Sequence, residues 1–209
     1  RSAMYYAEKY NHQKIIELLS SAMTHTTKLE NENLILKNEI DKLNRFIIAL
    51  RGKKTELPLV NMNDYEKGQL LRKASATIIE VVRKHGEEQK KYAKKELVRF
   101  DFNSLQRFLK ESELLIKLHH PCIIPILGMD YGDSSHPPSM LLLSLDRSLE
   151  QSIQKDKLRN EYKNRIVMEI VLGARYIHSY NLIHRDLTPV NILLDEYNHV
   201  RIANFFNAE

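Results

Sequence analysis

A carboxylate can orient or deprotonate a hydroxyl, a lysine or arginine can hold an anion, and an asparagine oxygen can join in ligating a metal. One short segment of this 209-residue sequence gathers residues of that kind. His184, Arg185 and Asp186 stand in a row, Asn191 comes five residues after the aspartate, and Ile192-Leu193-Leu194 continue as an aliphatic run. An ordinary solvated charged loop does not account for that run, nor for the helical pattern that precedes it. Upstream, Tyr92-Ala93-Lys94-Lys95 supplies two neighbouring lysines, and Glu111 and Glu113 supply carboxylates. For these the plain alternative is a surface ion pair of small worth.

Such groups act together only if secondary structure brings them to one place. Thr77-Ile78-Ile79-Glu80-Val81-Val82 alternates with β-branched residues and reads as a strand, followed by a turn at His85-Gly86-Glu87 and a second strand near Tyr92 to Val98. Leu105, Phe108, Leu109, Leu114, Leu115 and Leu118 recur at helical spacing and predict a helix over about 104–118. On that helix Glu111 and Glu113 project roughly 200° apart, so only one of them can face a given partner. His120-Pro121 stops the helix, and Ile123 to Leu127 reads as a further strand. A Ser, Pro and Gly-rich loop over 131–139 precedes Met140 to Leu143. Helices are expected over 149–155 and 161–179, and two short strands around 192–194 and 200–202. The order is strand-rich first and helix-rich second.

The stretch from Tyr176-Ile177-His178-Ser179 through His184-Arg185-Asp186-Leu187 to Asn191-Ile192-Leu193-Leu194 resembles the protein-kinase catalytic loop, H-R-D-L-x-x-x-N, with its preceding helix. Other landmarks fall in family order over about residues 64–209. Tyr92-Ala93-Lys94-Lys95 looks like the V-A-I-K strand, and Phe108 to Leu115 looks like the helix that supplies the lysine's partner. The resemblance implies an α+β, bilobal protein-kinase-like fold, with a complete β-rich N-lobe and a partial helical C-lobe. It also implies ATP and Mg2+ as cofactors, Asp186 as catalytic base, Lys95 as the phosphate-binding lysine, Glu111 as its ion-pair partner and Asn191 as a metal ligand. Pro189 after Thr188 favours the serine/threonine form of the family.

The departures from the pattern matter as much. The nucleotide-covering loop should read G-x-G-x-x-G-x-V. Here Arg72, Ala74 and Thr77 take the three glycine positions and Ile79 the valine. Side chains at those places hinder close approach of the backbone to phosphates. The metal-binding D-F-G reads Asn204-Phe205-Phe206, which removes an anionic ligand and a flexible glycine. Thr188 stands where serine/threonine kinases commonly place a lysine. At about 3 kcal/mol for each lost electrostatic group, two losses would cost roughly four orders of magnitude in rate. The expectation is a pseudokinase or very weak kinase acting as a signalling scaffold. Two alternatives stay open: an active serine/threonine kinase in its full-length form, and a coiled-coil and ankyrin interaction protein.

Residues 1–25 carry apolar positions on both sides of Asn11-His12, which predicts a short helix pair resembling part of an ankyrin repeat. Over 27–52, Leu29, Leu36, Leu43 and Leu50 fall seven apart, with Asn33, Ile40 and Ile47 between them. That pattern predicts a coiled-coil helix and a parallel homodimer through 29–50; a helix packing on its own neighbours is the rival. A linker is expected over 53–63. The formal charge of +5, from 32 basic and 27 acidic residues, is mixed along the chain. Protein partners rather than nucleic acid are therefore expected. The pairs Lys90-Lys91 and Lys94-Lys95 read as a solvated hairpin edge. The single cysteine, Cys122, fits a reducing, cytoplasmic setting, and no apolar stretch is long enough for a membrane span. A first residue other than Met is expected to mark a cut edge. The absence of an activation segment and A-P-E motif before Glu209 is expected to leave this sequence without a peptide-substrate platform.

Overall fold

The structure is a computed structural model. It describes residues 58–209 apart from 88, 100, 133–135, 146 and 156–157, and, nearer the N-terminus, residues 17, 20, 21, 24–34 and 37. The chain divides into two units, Arg1–Gly52 and Lys53–Glu209. In the first unit the described residues are helical and exposed, Leu29 and Leu34 included. Most of the helix pair expected over 1–25 and most of the heptad seam expected over 27–52 lie outside the described residues.

In the second unit a five-stranded antiparallel sheet comes first. Its strands are β1 (Tyr65–Lys73), β2 (Thr77–Lys84), β3 (Lys91–Leu97), β4 (Ile126–Asp130) and β5 (Ser139–Leu143), in the order β1-β2-β3-β5-β4. The central strand β3 pairs with β2 and β5, with Lys95 opposite Ile79 on one side and Met140 on the other. Both Lys94 and Lys95 are buried, which corrects the reading of that pair as a solvated edge. Alternation along the strand sends them to opposite faces, and each finds a carboxylate: Lys94 meets Glu80 and Glu96, and Lys95 meets Glu111.

Residues 58–60, within the stretch read as a linker, run beside β4. Val60 N donates to Met129 O at 3.1 Å, and Met129 N donates to Pro58 O at 3.1 Å. Gly128 permits this approach, because a Cβ there would lie 2.5 Å from Val60 Cγ1. The expected strand over 123–127 shifts to Ile126–Asp130. Pro125 has no N–H for a ladder, and Ile123 and Ile124 instead bridge to Ile202.

Helix α1 (Phe102–Lys117) starts at Asp101, whose carboxylate accepts from Ser104 N at 2.9 Å. Its buried face carries Leu105, Phe108, Leu109, Ser112 and Leu115, and Glu111 lies on that same face. The second half is smaller in strands. Two-residue β6 (Arg147–Ser148) pairs with β7 (Ile192–Leu194), which pairs with β8 (Val200–Ile202). Helix α2 (Leu149–Gln154) opens on a reciprocal capping box between Ser148 and Gln151. Helix α3 (Asn160–Ser179) buries Ile166, Gly173 and Ile177 and exposes Val167, Met168, Val171 and Leu172. At Gly173 the helix comes so near β8 that an added Cβ would lie 2.6 Å from Ile202 Cδ1 and 3.2 Å from Cys122 Cβ. Cys122 is buried, and burial pushes its thiol pKa up. Among the described residues no helix is long and apolar enough to cross a membrane. The sheet-rich half followed by a helical half with a small hairpin is an α+β, kinase-like arrangement.

Candidate functional site

The two halves face each other across a cleft of about 490 Å3, within the range of small-molecule sites. Leu71, Ile79, Ala93 and Leu142 line it from the sheet, and Val190 and Leu193 from the helical half. At its inner end Lys95 and Glu111 form a fully buried ion pair, with Lys95 Nζ at 2.6 and 2.8 Å from the two carboxylate oxygens. Of the two lysines offered by the sequence the pair uses Lys95, and of the two glutamates it uses Glu111. Glu111 Oε1 also accepts from Phe205 N at 3.0 Å, so the pair is tied to the segment after β8.

The loop between α3 and β7 brings Asp186 and Asn191 to the cleft floor. His184 is buried beneath it, 3.1 Å from Ala203 O through Nε2, and its Nδ1 accepts from Asp186 N at 3.3 Å. Its ring meets Phe205 edge to face at 4.7 Å. Burial holds the His184 pKa below the ordinary imidazole value, opposed by the hydrogen bond to Ala203 O and by the carboxylates of Asp186 and Glu111. Arg185, with φ 61°, takes the left-handed backbone region and pairs with exposed Glu209. Asn191 Nδ2 donates to Asp186 O at 2.8 Å and to Thr188 Oγ1 at 3.2 Å, which locks the loop.

Asn204, also left-handed at φ 68°, joins these groups. Its Oδ1 accepts from Lys95 Nζ at 3.1 Å and its Nδ2 donates to Asp186 Oδ2 at 2.9 Å. Phe206 lays its ring 5.5 Å from Lys95 Nζ. From the opposite wall Arg72, near the end of β1, crosses the cleft: its Nη1 donates to Asn191 Oδ1 at 2.6 Å. Ala74 is exposed in the tight turn to β2, where its N–H donates to Thr77 O at 2.8 Å. Thr77 is buried at the foot of β2, opposite Leu97. A second cavity of about 210 Å3 lies under that turn, lined by Arg72, Ala74, Thr77, Asp186, Asn204 and Phe206 among others.

Of the eight site residues read from the sequence, Arg72, Lys95, Glu111, Asn191 and Asn204 line the cleft, and Ala74, Thr77 and Asp186 line the smaller cavity, which shares Arg72 and Asn204 with it. The sequence did not disclose the reach of Arg72 to Asn191 or the seat of Phe206 beside Lys95. A large cation where a glycine is expected is the available sign, though by type alone it indicates only an obstruction. The oxygens that would hold magnesium do not fit that ion. Asn191 and Asn204 are neutral, and each side-chain oxygen already accepts from a cation, Arg72 in one case and Lys95 in the other. Among the described residues no cluster of His, Cys, Asp and Glu offers another metal site.

The sequence matches the protein kinase domain family over residues 73–209. It is 35% identical over 103 residues to the dual specificity protein kinase pyk3 of Dictyostelium discoideum, covering 48% of this chain and 7% of that protein. It is 33% identical over 113 residues to the carbon catabolite-derepressing protein kinase of Saccharomyces cerevisiae, covering 54% of this chain and 17% of that one. With human receptor-interacting serine/threonine-protein kinase 1 the identity is 28% over 101 residues, 47% of this chain and 15% of the relative. The chain therefore spans only a small part of the length of these relatives. With more than half of its residues matched by the family model, this chain belongs to the protein kinase domain family.

Proposed function

We propose that this chain is a pseudokinase: it keeps the nucleotide cleft of its family as a binding and scaffolding module and does not transfer phosphate. The observation that supports this reading most is the engagement of Asn191 Oδ1 and Asn204 Oδ1 by Arg72 and Lys95. A kinase needs metal at that place to bridge the phosphates and neutralise developing charge. Asp186 retains a position from which it could orient a hydroxyl, yet with no metal-bound phosphate opposite it that carboxylate has nothing to work on. Lys95 and Glu111 would then serve the cleft's shape and the binding of a nucleotide such as ATP rather than turnover. Partners would be proteins, recruited in part through a parallel dimer of the heptad segment 29–50.

The reading is tested with the full chain, radiolabelled ATP, magnesium or manganese, and generic protein substrates. No transfer above that of an Asp186→Ala variant is expected. Transfer that disappears in Asp186→Ala would sink the pseudokinase reading and favour the active serine/threonine kinase.

A further inference from the structure

Arg72 stands where the family pattern has the first nucleotide-loop glycine, and Asn204 where it has the metal-binding aspartate. Each replacement makes the cleft more positive by one unit, and together they match the charge of one divalent ion. The geometry agrees with the charge. Arg72 Nη1 sits 2.6 Å from Asn191 Oδ1, the oxygen a metal would otherwise take. Arg72 also lines both the larger cleft and the smaller cavity under the β1–β2 turn, so a ligand reaching from one into the other passes its guanidinium.

Lys95 is the second cation lining the larger cleft. The carboxylates nearby are already engaged: Glu111 by Lys95, and Asp186 by the amide of Asn204. A guanidinium is permanently charged, offers five N–H donors in a planar fork and takes phosphate oxygens two at a time. Only one of those donors has a protein acceptor described here, Asn191. We infer that Arg72 is a built-in substitute for the metal, so that the cleft binds a nucleotide's polyphosphate on Arg72 and Lys95 without a divalent cation. The inference rests on the nucleotide-cleft reading given above and adds to it the cation that does the binding. Magnesium should weaken rather than strengthen the complex, because it brings two positive charges to the point Arg72 holds.

The experiment is a calorimetric titration of the full chain with ATP, once in EDTA and once in excess magnesium. Binding in EDTA at least as tight as in magnesium is expected. Arg72→Gly should weaken binding in EDTA about tenfold or more, the scale of a lost charge-assisted hydrogen bond. Arg72→Gln, which can still donate to Asn191 but carries no charge, should weaken it similarly. Thermal melting of each variant confirms that it is folded, and Arg72→Gln carries the test if Arg72→Gly is not. Three results would each overturn the inference: binding that requires magnesium, no ATP binding by the unaltered chain, or equal or tighter binding by both variants. The last would mean that Arg72 seals the cleft instead of serving it. Absence of ATP binding would also remove the nucleotide-binding part of the reading above, whereas the absence of turnover is overturned only by measured phosphate transfer.

Discussion

The floor of the cleft and its roof have fared differently. On the floor, Lys95, Glu111, His184, Asn191 and Phe205 match the motif residue types and each is at most 4% exposed, whereas half-buried Asn204 departs from them. On the roof, Arg72 and Ala74 stand where the motif G-x-G-x-x-G would place glycines, and Ala74 is exposed in a turn that one backbone hydrogen bond closes. For most of these residues the difference goes with burial, Thr77 being a buried exception at the third glycine position. A residue whose side chain is buried among hydrogen-bond partners holds the fold together whether or not phosphate is transferred. A glycine that exists to let phosphate approach the backbone has no second duty. Retained lysine, glutamate and asparagine are thus weak witnesses to activity, and the exposed turn is a stronger one.

The largest effect is expected at Glu111. Glu111→Gln leaves Lys95 buried and without its counter-charge, so a loss of about 3–5 kcal/mol in unfolding free energy is expected. Urea denaturation of the full chain measures it. A loss below about 1 kcal/mol would remove the structural reason offered for the pair's survival. Lys95→Met together with Glu111→Leu should recover much of the loss, because a buried pair can be replaced by apolar side chains of similar size.

His184 sharpens the comparison through pH. Burial makes the folded chain bind the imidazole proton less readily than the unfolded chain, whose histidine titrates near an ordinary value of about 6.5. The stability this provides is fully present above that value. It declines as pH falls through it toward the lower folded value, since the unfolded state then binds more protons. His120, lowered by burial and by Arg201, acts in the same direction. Melting temperature between pH 7.5 and 5 should therefore fall, and His184→Gln should flatten the fall. An unchanged slope in the variant would assign the effect elsewhere.

The smallest effect belongs to the roof. Ala74→Gly restores the family's residue at an exposed turn, and it should cost no more than about 1 kcal/mol, the entropic difference between glycine and alanine. A cost as large as that of Glu111→Gln would show that the turn is structural after all.

What the sequence disclosed follows the same division. The helix bearing Glu111 was readable because Leu105, Phe108, Leu109 and Leu115 repeat at helical spacing, and its observed bounds are Phe102–Lys117. Strand β2 was readable from its β-branched run, and β3 as the second strand after the glycine turn. Strand β1 was not, since Tyr65–Lys73 is polar, mostly exposed and interrupted by register shifts between Lys67 and Arg72. The two-residue β6 is too short to have a periodicity. Within the site, the motif residues were found by spacing, and spacing is silent about which way a long side chain turns. Hence the placement of Arg72 across the cleft had to come from three dimensions.

Gly173 shows how far from the cleft the same logic reaches. The helix and β8 are separated there by a distance that a single methyl group would exceed. Ala203, directly after β8, donates to Asn191 O at 2.9 Å, so a wedge at Gly173 would be transmitted to the loop that carries Asn191. An added Cβ at this position would require Ile202 Cδ1 to move and would press on Cys122 Cβ. A lineage that had given up phosphate transfer would gain no new freedom there, for as long as the cleft's shape still had a use.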